Sequence, residues 1–191
     1  MTVEEARRAD ARANRRRLIE AARAAFAEGG NVPLEVIAAR AGVGIGTLYR
    51  HFPKREALVE AVYRDQIDDL SAGADALLAS HAPAVALRLW IDLFADWAAA
   101  KRGMVETLAA MRRSGTLDFD ASRREIESIL SRLLAAGREA GDLRADLDPA
   151  DLRSLLAGAM AVAEDPEQAG RLFALILDAA RLPAPGGPAH G

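Results

Sequence analysis

The chain has 191 residues, a formal net charge of −3, 51% hydrophobic residues and no cysteine. That length admits one large domain or two small ones around a substantial core, and the absence of thiols excludes disulfides and thiolate metal sites. No apolar run reaches the roughly 18 residues that span a bilayer, and the opening MTVEEARRADARANRRR lacks the apolar stretch of a secretory signal, so a cytoplasmic protein without a membrane segment is expected.

Ala, Leu, Arg and Glu dominate and β-branched residues are sparse, so almost every segment reads as helix. Residues 1–13 form a basic arm, rich in Ala, Arg and Glu and fraying as a helix. Helices are predicted over 15–28, 34–41, 45–51, 55–80, 83–101, 103–113, 121–140, 149–163 and 166–181, about nine in all. Pro53, Pro83, Pro149 and Pro166 fall at or near helix starts, where proline is tolerated. The tail 183–191, PAPGGPAHG, reads as disordered. The organisation expected is an arm (1–13), a short N-terminal helical part (14–54), a larger helical body (55–182) and the tail (183–191). Residues 1–60 hold eleven Lys and Arg against eight Asp and Glu, and the remainder holds fourteen against twenty. A basic front on an acidic body suits a protein that meets DNA with one part only.

The segment LEVIAARAGVGIGTLYRHF, residues 34–52, has the layout of a helix-turn-helix. Leu34, Ile37 and Ala38 share one helical face. Asn31 and Pro33 suit a helix start, Gly42 suits the sharp turn, and Val43 plugs the angle between two helices.

AGVGIGTLYRHF resembles the signature of the TetR family of transcriptional repressors, with Gly42, Val43, Gly46, Thr47, Leu48, Tyr49, His51, Phe52 and Lys54 matching. Upstream, Arg17, Leu18, Ile19, Ala21, Ala22, Phe26 and Gly29 are similar to that family's first helix. The resemblance covers residues 14–62. Two positions depart from it: Gly44 stands where a Ser is usual and Pro33 where a Thr is usual, so neither hydroxyl's contact is carried over.

Helix-turn-helix proteins lay the second helix in the major groove with its first residues at the base edges. This places Gly44, Ile45, Gly46 and Thr47 nearest the bases, a set poor in hydrogen-bonding groups. Ile45 and the Thr47 methyl suit thymine methyls, and Arg50, one turn on, is placed for a base or a phosphate. The resemblance implies that Tyr49, His51 and Lys54 clamp phosphates, with Arg55 a second candidate beside Lys54. Much of the discrimination is therefore expected from DNA shape and from the arm. Arg7, Arg8, Arg12, Arg15, Arg16 and Arg17 either enter a minor groove or form a solvated charge run.

In the body, Trp90, Phe94 and Trp97 share one helical face and Met104, Leu108 and Met111 another. They are candidates to line an apolar effector pocket, or are ordinary core. Leu155 and Met160 on one late helix, and Phe173 and Leu177 on the next, are candidates for a dimer interface, since the family dimerises through its last two helices. The other reading buries both helices within one protomer. No catalytic triad, phosphate loop or metal-ligand spacing appears, so no enzyme, cofactor or metal is expected. The reading is an all-α homodimeric regulator, a repressor released from a palindromic operator on double-stranded DNA by a small apolar ligand. The alternatives are an activator or ligand-independent regulator and, in another class, a helical protein-binding adaptor.

Overall fold

Helix α1 spans Val3–Ala27, far earlier than the sequence reading placed its start. Its N-terminus is closed by a capping box. The Thr2 hydroxyl accepts from the Glu5 amide at 3.3 Å, and the Thr2 amide donates to Glu5 Oε2 at 2.6 Å. The arm is therefore a continuous helix and not a fraying one. The computed structural model describes residues 2–29 and 31–181, without the side chains of Val3, Arg102 and Gly103, so the tail expected over 183–191 lies outside the described residues.

Helices α2 (Leu34–Arg40) and α3 (Ile45–His51) follow, then α4 (Arg55–Ser80), α5 (Pro83–Ala100), a 3-10 turn over Lys101–Met104, α6 (Val105–Ser114), α7 (Phe119–Glu139), α8 (Pro149–Val162) and α9 (Pro166–Ala180). Among the described residues the fold is all α, with nine α-helices and one isolated bridge between Leu143 and Arg181. Asp148 and Asp165 cap α8 and α9, whose first residues are prolines, by accepting from backbone amides at 2.7 Å.

The chain divides into two compact units, Met1–Asp68 with Asp96–Phe119, and Asp69–Ala95 with Asp120–Gly191. In the first, α1 packs on α2 and on the 3-10 turn, and α2 packs on α3. Its core draws on Leu18, Phe26, Ile37, Leu48, Phe52, Leu58, Val62, Met104 and Met111. A two-pronged ion pair from Arg40 to Glu28, at 2.6 and 2.9 Å, joins the ends of α2 and α1. In the second unit, Trp90, Ile91, Leu130, Leu133, Leu134, Leu152, Leu156 and Phe173 are buried. There α7 ends under Leu143, and a Cβ at Gly137 would overlap that side chain.

Candidate nucleic-acid interface

The turn between α2 and α3 is built as its sequence requires. Gly42 takes φ +65°, and the Val43 amide donates back to Ala38 O at 3.0 Å, closing α2 with its orphan carbonyl satisfied. Pro33 and Gly44 occupy the N-cap positions of α2 and α3, and neither offers a side-chain cap. The two departures from the family pattern thus leave both helix starts without a capping hydroxyl.

Leu48 and Phe52 anchor α3 in the core at 0% and 2% exposure, while Ile45 and Tyr49 stand 37% and 45% exposed on its outer side. Gly46 is exposed, with nothing within 4 Å of where a Cβ would sit. Arg50 does not extend away from the helix. Its Nε donates to Gly46 O and its Nη2 to Thr47 Oγ1, both at 3.1 Å, which brings the guanidinium back over the first turn of α3. The sequence reading found that turn poor in donors, and the folded Arg50 supplies them there. Lys54 is exposed, and His51 is half-buried with its ring 6.3 Å from that of Phe52.

Arg55 is a correction. It was expected beside Lys54 as a second phosphate ligand, but its side chain turns inward. Nη1 donates to Val32 O at 2.6 Å, and the guanidinium lies 5.2 Å from the centre of the Phe26 ring. Burial pushes its pKa below the ordinary arginine value, and nearby Glu56 acts in the opposite direction. Arg55 ties the start of α4 to the α1–α2 connection and is not presented to a ligand.

The arm arginines separate by partner. Arg7 and Arg8 both pair with Glu4, at 3.1 Å. Arg15 lies over the Phe52 ring at 5.4 Å, Arg17 donates to Asn14 Oδ1, and Arg16 is exposed. Between the first turns of α1 and the flank of α3 runs an open cleft of about 420 Å³, walled by Arg7, Arg8, Asp10 and Asn14 on one side and Thr47, Arg50 and His51 on the other.

The six candidate pocket residues are all buried. Trp90 and Phe94 belong to the second unit, where their rings stack at 5.7 Å and the Trp90 indole donates to Leu70 O at 2.9 Å. Trp97, Met104, Leu108 and Met111 belong to the first. There Trp97 lies 6.0 Å from Tyr63, and the Lys101 amine sits 3.1 Å from the centre of the Trp97 ring and 5.1 Å from that of Tyr63. Burial pushes the Lys101 amine down from the ordinary 10.5 to about 7. Sequence reasoning missed Lys101, because a single lysine after an apolar helix reads as solvated. It also missed Gln66, which is 3% exposed and whose Oε1 has no hydrogen-bond partner among the described residues.

Of the interface candidates, Phe173 is corrected: it is 4% exposed and belongs to its own protomer's core. Met160 and Leu177 are half-buried, and Leu155 is 55% exposed. Leu175 and Val162, neither of them among the interface candidates, stand 66% and 69% exposed on α9 and α8.

The comparisons agree with this architecture. The profile of the bacterial regulatory proteins, tetR family, matches residues 18–62, and that of the SbtR-like transcriptional regulator C-terminal domain matches residues 82–181. The TetR transcriptional regulator SCO0520 from Streptomyces coelicolor is 43% identical over 89% of this chain and 99% of its own, with a TM-score of 0.79. A TetR transcription regulatory protein from Mycobacterium vanbaalenii is 38% identical over 92% of this chain and 99% of its own, with a TM-score of 0.73. RolR in complex with resorcinol is 25% identical over 90% and 89%, with a TM-score of 0.56. A search of curated proteins found no match. No helix of the described residues is long and apolar enough to cross a membrane. With a helix-turn-helix matched at one end and a regulator's C-terminal domain at the other, the chain belongs to the TetR family of DNA-binding bacterial transcriptional regulators.

Proposed function

We propose that the protein is a cytoplasmic homodimeric repressor that holds a palindromic operator through α3 and leaves it when a small, largely apolar effector binds. The observation that carries the DNA reading is the outer side of α3. Ile45 and Tyr49 are left in water on a short helix that Leu48 and Phe52 anchor in the core, and exposed apolar side chains grouped beside cations mark a contact surface. Tyr49, His51 and Lys54 hold phosphates, Gly46 admits close backbone approach, and Ile45 and Thr47 meet thymine methyls. Arg16 is a further phosphate ligand from α1.

Two features support the dimer. On α8, Ser154, Leu155, Gly158 and Val162 are exposed at helical spacing, and on α9 so are Gly170, Arg171, Ala174 and Leu175. Small residues let a second copy come close, and the exposed leucines and valine need cover. A two-fold dimer reads a two-fold site, with half-sites about 34–36 Å apart. The effector reading rests on the buried Trp97, Met104, Leu108 and Met111 of the first unit. Gln66 Oε1 would accept a single hydrogen bond from such a molecule, and the resorcinol bound by RolR has that chemistry.

The test is to select source-genome fragments on purified protein at near-physiological salt and sequence what is retained. A short inverted repeat is expected, and a Tyr49→Ala/Lys54→Ala double variant should retain nothing while keeping its helical circular dichroism. Fragments without a common motif would favour the adaptor instead.

A further inference from the structure

The cleft between α1 and α3 has a composition that the contacts of α3 do not use. Arg7 and Arg8 project from the first turns of α1, and Arg50 faces them from α3. Asp10 is the one acid among the lining residues. Among the described residues Arg7 and Arg8 pair with Glu4, through exposed pairs with side-chain exposures of 79%, 72% and 50%. Such pairs contribute little and exchange readily for a better anion. Arg50 uses two of its five N–H donors on its own helix, which leaves three for another partner. The wall carrying Arg7 and Arg8 is a capped helix, so its side chains are presented without the ordering cost of a disordered arm. The cleft opens beside α3, the helix proposed to meet the bases, through Thr47, Arg50 and His51.

We propose that this cleft receives one sugar-phosphate strand of the bound DNA, with Arg7 and Arg8 on one side of it and Arg50 on the other. The inference rests on α3 being the DNA-reading helix. It makes the first turns of α1 a second DNA-contacting element, one that grips a backbone from outside α3 and reads no base. The contact is electrostatic and independent of sequence, so it adds affinity and salt dependence and leaves the choice of operator to α3.

The experiment compares the full-length protein with Arg7→Ala/Arg8→Ala on the selected operator duplex across a salt series. A charge-matched control, Arg88→Ala/Arg123→Ala, removes two exposed arginines of the second unit that are paired in the same way. Each lost phosphate contact flattens the slope of log K against log salt by about 0.9. The arm variant removes two contacts from each protomer of the dimer and should therefore be shallower by about 3.6 on the two-fold operator, with unchanged circular dichroism and an unchanged selected motif, and the control should follow the wild type. A second series carries uncharged methylphosphonate linkages at single positions. The wild type should lose affinity at a linkage outside the α3 footprint, and the arm variant should lose none there. An arm variant with the wild-type slope overturns the proposal while the operator reading stands. A wild type that holds no duplex at all removes both.

Discussion

Lys54 and Arg55 are adjacent cations with opposite roles, and the difference is one of direction. Lys54 lies in the bend before α4 and Arg55 is the first residue of that helix, so the two backbones set their side chains in different directions. The Lys54 side chain is exposed, while that of Arg55 lies over Phe26 and donates to Val32 O. Arg55→Ala is expected to cost about 1.5–3 kcal/mol of stability, the range for a hydrogen bond that involves a charged group, measured by urea unfolding. The salt dependence of operator binding should not change, and a flatter slope would return Arg55 to the phosphate set. The sequence named both residues as cations near a helix start and could not orient them, because orientation depends on what packs beneath. The same limit applies to Lys101, whose aromatic neighbours Trp97 and Tyr63 are four and thirty-eight positions away in sequence and meet only in the folded unit.

At the level of elements, α2, α3 and α4 fall within a residue of their expected bounds, because each boundary is set by a local signal: Pro33, Gly42, Gly44 and the Phe52-Pro53 step. Gly42 carries the sharpest prediction. Its φ is +65°, and a Cβ there would make only an ordinary 3.7 Å contact with Arg17 Nη1. Gly42→Ala should therefore destabilise by the backbone term alone, about 1–2 kcal/mol, read as a lower unfolding midpoint. A neutral result would mean that the turn relaxes. The start of α1 was misplaced although its signal was present: Thr2-x-x-Glu5 is a capping box in plain sequence. An Arg-rich run reads as a solvated arm by its charge, whereas Ala and Arg are also strong helix formers.

For the whole molecule, the all-α architecture was legible because helical periodicity is repeated along the chain. The grouping of elements into units was less so. Packing joins Asp96–Phe119 with Met1–Asp68, and no break in composition announces this. The outer stripes on α8 and α9 show what periodicity can and cannot tell. It identified two helices apolar nearly all round, but it could not say that Phe173 faces inward and Leu175 outward. A Leu155→Glu/Leu175→Glu variant should sediment as a monomer at micromolar concentration with its helicity kept, where the wild type sediments as a dimer. A wild-type monomer would refute the interface. Because two heads on one duplex depend on that interface, the variant should also lose the inverted repeat and retain at most a half-site.

The unbroken α1 has a mechanical consequence. Among the described side chains of α1 none before Leu18 is buried, while Leu18, Ile19, Ala22, Ala25 and Phe26 are embedded in the unit that also holds the 3-10 turn over Lys101–Met104. The helix is thus clamped at one end and free at the other, with about 22 Å of rod between Leu18 and Val3. A tilt of about 5° at the clamp would sweep the tip by about 2 Å and carry Arg7 and Arg8 by about 1.4 Å, enough to stretch a contact with a phosphate. A repacking around the 3-10 turn too small to disturb α3 would thus be magnified at the tip, and the protein could loosen its hold on DNA before its reading helix had moved.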